Sequence, residues 1–123
     1  MSEETKRVLV ATDDNLWNES AKLSLSEKGM EVDIAQNGAD AEDKLMHNHY
    51  IAAILELYMS IKSAMDVLKS VRAQDIQTPI LVISNTKNND DKKSLLTEGA
   101  SGYLIKPNIN INSLADLLER YIN

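Results

Sequence analysis

Residues 51–57 read IAAILEL, apolar at every position except Glu56. A strand with one face in water alternates apolar and polar residues, whereas a strand covered on both faces is apolar throughout. This stretch therefore predicts a central strand of a parallel sheet with helices on either side. Arg7 to Ala11 (RVLVA) reads as a buried strand, and Pro79 to Ser84 (PILVIS) as another. Glu31 to Ala35 alternates, with Val32 and Ile34 on one face, as an edge strand does. Gly102 to Lys106 is a short fifth strand.

Between these runs the apolar period changes from 2 to about 3.6. Leu16 to Lys28 carries Trp17, Ala21 and Leu25 on one stripe, and Gly29 supplies a C-cap. Ala39 to His47 is helical after the turn signal Asn37-Gly38. Ala64 to Gln74 has Ala64, Leu68 and Val71 at helical spacing, and Asp90 to Glu98 forms a fourth helix ended by Gly99. Ser113 to Ile122 places Leu114, Leu117, Leu118 and Tyr121 at i, i+3, i+4, i+7. The strands start roughly 20 to 28 residues apart, the spacing that a crossover through one helix requires. The expected fold is α/β: a doubly wound (βα)5 three-layer sandwich over one domain, 1–123, with a five-stranded parallel sheet of order 2-1-3-4-5.

Composition narrows the function classes. At 43% apolar and 26% charged, 123 residues make one ordinary globular domain that needs no covalent staple. The chain has no Cys, which excludes disulfides, thiolate metal sites and cysteine nucleophiles. The net charge of −6 argues against direct nucleic-acid binding, which needs clustered Lys and Arg. No apolar run reaches membrane-spanning length, and the polar N-terminus, Met1 to Lys6, has no signal-peptide core. A cytoplasmic protein without a membrane partner is expected.

Ligands of such sheets bind beyond the carboxyl ends of the strands. Asp13 and Asp14 follow the first strand, Glu56 ends the third, Ser84 the fourth and Lys106 the fifth, before Pro107. Three carboxylates are thus expected to meet in one pocket beside a hydroxyl and an ammonium. Like charges so close must be offset, by Lys106 or by a hard cation such as Mg²⁺ with oxygen ligands.

On these residues the chain resembles the receiver domains of bacterial two-component response regulators, over nearly its full length. The resemblance is carried by Asp13-Asp14 after RVLVA, the strand ILELYM, PILVIS ending in Ser84, and GASGYLIKP from Gly99 to Pro107. It implies the flavodoxin-like topology and a role in phosphorelay signalling rather than enzymatic turnover. It also implies Mg²⁺ held by Asp13, Asp14 and the acceptor position Glu56, with Ser84 and Lys106 contacting the phosphoryl group. Tyr103 would be the aromatic that reorients on activation, and the Lys106–Pro107 bond would be cis. Partners would be a histidine kinase, and a protein or second copy on the face of the fourth helix, fifth strand and fifth helix.

The pattern breaks where the chemistry is most demanding. The acceptor position carries Glu56 in place of Asp. One more methylene moves the carboxylate by roughly 1.5 Å, and about 1 Å of misplacement can cost on the order of 100-fold in an aligned transfer. Ser60 stands where the family has Pro, and Ala64 where it has Gly. A phosphorylation-independent or phosphomimetic interaction module is therefore the first expectation. A receiver still phosphorylated by a histidine kinase is the second. A flavin-binding module on the same topology is the third, disfavoured because two acids after the first strand would repel a phosphate. A nicotinamide site lacks its GxGxxG. The residues read as a stand-alone receiver or as a piece of a larger regulator.

Plainer roles stand beside these. Asp13-Asp14 also suits an N-cap pair, Ser84 an ordinary strand end, and Tyr103 a half-buried core residue. Trp17 is expected in the core. His47 and His49 flank a helix end rather than form a metal site, and Asn85 to Lys93 reads as a solvated loop and helix start.

Overall fold

The computed structural model describes residues 6–122, so most of the polar N-terminal stretch lies outside the described residues. Strands β1 (Arg7–Ala11), β2 (Glu31–Ala35), β3 (Ala52–Glu56), β4 (Ile80–Ser84) and β5 (Gly102–Ile105) alternate with helices α1 (Asn15–Ser26), α2 (Gly38–His47), α3 (Ala64–Ala73), α4 (Asn89–Thr97) and α5 (Leu114–Ile122). They form one parallel sheet in the order β2-β1-β3-β4-β5, with β3 central and β2 at an edge. Boundaries agree with the sequence periods to within about two residues, the usual fraying margin. The expected fifth strand stops one residue early: Lys106 opens a 3₁₀ turn, Lys106–Asn108.

The sheet separates two cores. Leu9, Ala53, Leu55, Ile80 and Val82 point to the layer holding Ala41, Leu45, Val67, Leu68 and Leu95 of α2, α3 and α4. Val8, Val10, Ile54, Leu81 and Ile83 point the other way, onto Ala21, Leu25, Leu114 and Leu118 of α1 and α5. Adjacent strand residues thus serve opposite layers, as the pleat dictates. Leu55 and Ile83 are fully buried, a gain of roughly 1.5–3 kcal/mol each over exposure.

Four helix starts are capped by short polar side chains that accept the backbone N–H three residues on. Asp14 takes that of Trp17, Asn37 that of Asp40, Ser63 that of Asp66, and Asn88 that of Asp91. Gly38 packs against the backbone of the loop between β3 and α3, so closely that a Cβ there would overlap the Lys62 carbonyl. Its N–H donates to the Ser60 carbonyl at 3.1 Å, and Lys62 pairs with Glu42 of α2 at 2.7 Å. These contacts fasten the β3–α3 loop over the carboxyl end of the sheet.

Candidate functional site: a buried lysine between two carboxylates

All five strands end at the same edge, and the residues marked there by the sequence lie on or just past β1, β3, β4 and β5. Glu56 is the last residue of β3 and Ser84 of β4. Lys106 follows β5 directly. These three residues are buried, with 8%, 5% and 9% of their surface exposed. A buried ammonium needs a counter-charge. Lys106 Nζ finds two, Asp14 Oδ2 at 3.1 Å and Glu56 Oε2 at 3.4 Å.

Asp14 combines both roles read from the sequence. Its Oδ1 accepts the Trp17 N–H at 3.0 Å and caps α1, while its Oδ2 takes the lysine. The Trp17 N–H first, and then the Lys106 ammonium, hold the Asp14 carboxyl below the usual carboxylate range. The turn that presents Asp14 is fixed by a buried pair. The Thr12 hydroxyl accepts the Asp14 N–H at 2.9 Å and donates to Asn18 Oδ1 at 2.8 Å, and the Asn18 amide donates back to the Thr12 carbonyl at 3.0 Å.

The expected three-carboxylate metal set is not assembled. Asp13 turns outward and accepts from the Ser60 hydroxyl at 3.2 Å and the Ser60 N–H at 3.4 Å. Asp14 and Glu56 are drawn together by the Lys106 ammonium. Among the described residues no three His, Cys, Asp or Glu side chains are grouped so as to hold one ion. As placed, Asp13, Asp14 and Glu56 do not face one common point.

Ser84 and Glu56 line a cleft of about 120 Å³ with Tyr58, Asn85 and Thr86. The Ser84 hydroxyl accepts the Thr86 N–H at 3.3 Å, and the Thr86 carbonyl accepts the Tyr103 hydroxyl at 2.9 Å. Tyr103 is only 8% exposed, and this relay links it to the cleft. The Lys106–Pro107 bond was expected cis, but no described peptide bond is cis. Pro107 sits instead in the first turn of the 3₁₀ helix, where its missing N–H costs nothing.

Trp17 packs against the core layer of Ala21 and Leu25, as its stripe predicts, but at the margin of that layer rather than inside it. It is half-buried, and Lys106 Nζ lies 5.8 Å from its ring centroid. Its i, i+4, i+8 stripe with Ala21 and Leu25 signalled packing, and nothing in the spacing pointed to a lysine on another loop. His47 is exposed and contacts Asp43 one turn earlier, as a helix-end histidine does.

A sequence model of the response regulator receiver domain matches residues 8–119. The chain belongs to the response regulator receiver domain family. It is 34% identical over 101 residues to the response regulator MprA of a Mycobacterium species, covering 82% of this chain and 44% of that protein. It is 34% identical over 114 residues to the transcriptional regulatory protein PrrA of Mycobacterium tuberculosis, covering 93% and 47%. The chain thus spans just under half the length of the curated relatives it matches. Among solved structures, the Francisella response regulator 1452 receiver domain superposes with a TM-score of 0.87 at 27% identity, covering 96% of this chain and 97% of that one. The chemotaxis response regulator CheY4 of Vibrio cholerae does so with the same score and identity, covering 96% and 99%. The sheet order and its five helices are those of the CheY-like, flavodoxin-like fold.

Receiver domains are signalling modules of two-component phosphorelays. They interact with histidine kinases and partner proteins, and they generally bind Mg²⁺ at the phosphorylation site. No helix among the described residues is long and apolar enough to cross a membrane.

Proposed function

We propose that this receiver is an interaction module that works without a phosphoryl switch, because Glu56 at the acceptor position holds the site lysine in one ion-paired arrangement. The observation that carries the reading is the Lys106 ammonium, buried and shared between Glu56 at 3.4 Å and Asp14 at 3.1 Å. In a phospho-accepting receiver the lysine is kept for a phosphoryl oxygen. Here the longer glutamate reaches it and supplies a permanent negative partner, as a phosphorylated aspartate would. This state is held by side chains alone, Asp13 engaged with Ser60 and the other two carboxylates with Lys106.

The output of that state is a fixed surface. Tyr103 is buried, and its hydroxyl is tied through Thr86 to Ser84 beside Glu56. The face formed by α4, β5 and α5 is the proposed contact for a protein partner or a second copy, in the cytoplasm. It carries both charge signs, Asp91 and Lys92 on α4 and Asp116 and Arg120 on α5. Mixed rims of this kind set specificity more than affinity. Two-dimensional amide NMR with and without beryllofluoride and Mg²⁺ tests the reading. The expected result is little change. Large shifts across residues 85–110 would show a working switch and a receiver still phosphorylated by a histidine kinase.

A further inference from the structure

We infer that Trp17 is a positioning residue for Lys106: its indole face covers the ammonium on the side that Glu56 and Asp14 leave open, and keeps the lysine turned into the site. This deepens the reading above, since it concerns what holds the Glu56–Lys106 pair together.

Three observations carry it. Lys106 Nζ lies 5.8 Å from the Trp17 ring centroid, within the range at which a cation is attracted to an aromatic face. The Trp17 backbone and the ion pair share one anchor, Asp14. Asp14 accepts the Trp17 main-chain N–H through Oδ1 and the Lys106 ammonium through Oδ2, so the first turn of α1 sets the Trp17 Cα and the ammonium together. Trp17 and Lys106 both line an open cleft of about 450 Å³, with Asp14, Leu16, Ile109 and Ile111. A lysine is a strongly hydrated charge on a flexible stem, and fixing it costs rotamer entropy. The cleft is where the ammonium would find water if the indole were cut back. An aliphatic side chain at position 17 could fill apolar volume but could not offer the cation a π face.

The test is site-resolved lysine acylation with an amine-reactive ester, read by mass spectrometry and normalised to the exposed Lys22 and Lys69. Trp17→Leu is expected to label Lys106 roughly fivefold faster than wild type, the change that losing one contact of this class produces in an open–closed equilibrium. Trp17→Phe keeps an aromatic face and is expected to stay within about twofold of wild type. Equal Lys106 labelling in wild type and Trp17→Leu, or equal acceleration in both variants, would overturn the inference. A second measurement needs no variant. In the wild-type protein the indole ring current should move the Lys106 Cε protons upfield, and their resonance at the ordinary lysine position would also overturn it. If both measurements come out as expected and the wild type nevertheless responds strongly to beryllofluoride, the proposed function fails and the role of Trp17 stands.

Discussion

Lys106 Nζ stands 3.4 Å from Glu56 Oε2, and both side chains are about nine-tenths buried. The two residues are 50 positions apart in the chain and stand at the ends of β3 and β5, which β4 separates in the sheet. Their contact determines how the site responds to substitution.

The pair is asymmetric. Lys106 also holds Asp14, whereas Lys106 is the one hydrogen-bond partner of the Glu56 side chain in the described residues. Lys106→Met strands a buried carboxylate and should cost about 3 kcal/mol or more. Glu56→Gln leaves the lysine with Asp14 and a neutral acceptor and should cost about 1 kcal/mol. Urea unfolding of the two variants measures both, and equal losses would contradict the asymmetry.

Shortening the acceptor should reopen the site. Glu56→Asp withdraws the carboxylate by one methylene, roughly 1.5 Å, and loosens its contact with Lys106. Asp13, Asp14, Ser84 and Lys106 all remain at the strand ends. With a small phosphodonor and Mg²⁺, the variant should gain one phosphoryl mass while wild type gains little. Identical mass spectra for the two proteins would count against the proposed role of Glu56.

The acid limb of stability should follow the paired carboxylates. Asp14 and Asp40 are both held below the usual range, Asp14 first by the Trp17 N–H and Asp40 first by the Lys44 ammonium at 2.8 Å. A carboxyl with a depressed folded-state pKa adds stability that is complete above its unfolded value of about 4, and that is lost as pH falls through the folded value. Asp40→Asn removes one such group, so its stability should fall less steeply than that of wild type below about pH 4. A series of urea midpoints from neutral to acid pH gives the two slopes.

Arg72 should be a stability determinant far from the site. Its guanidinium donates to the carbonyls of Ile76, Thr78 and Gly99, and among the described residues no carboxylate is paired with it. Burial pushes its pKa down. It brackets the loop before β4 to the loop before β5. Gly99, at φ 106°, leaves room for it, since a Cβ there would come within 2.9 Å of Nε. Arg72→Ala should cost about 2–3 kcal/mol by leaving carbonyls unsatisfied, and Arg72→Lys should recover only part. Amide exchange near Gly99 should speed up in both.

Sequence alone determined the fold, because periodicity records which faces are covered. IAAILEL has no polar face, so β3 had to lie inside the sheet, and EVDIA could tolerate an edge. Helical stripes such as Leu114 and Leu118 named their own inner faces. Sequence also placed Asp13, Asp14, Glu56, Ser84 and Lys106 at one edge, since parallel strands all end on the same side. Which of them touch was decided only in three dimensions. Asp14 and Lys106 are 92 positions apart, and Asp13 and Ser60 are 47 apart. No spacing rule reaches across such separations to a rotamer. Lys106 draws Asp14 and Glu56 together because a buried ammonium must be neutralised. Asp13 turns to Ser60 because the loop after β3 is fastened there by Gly38 and Glu42. Trp17 meets a lysine that arrives from the far end of the chain. Pattern fixes the backbone scaffold, and the partners of charged side chains on loops are chosen by desolvation and reach once that scaffold has closed.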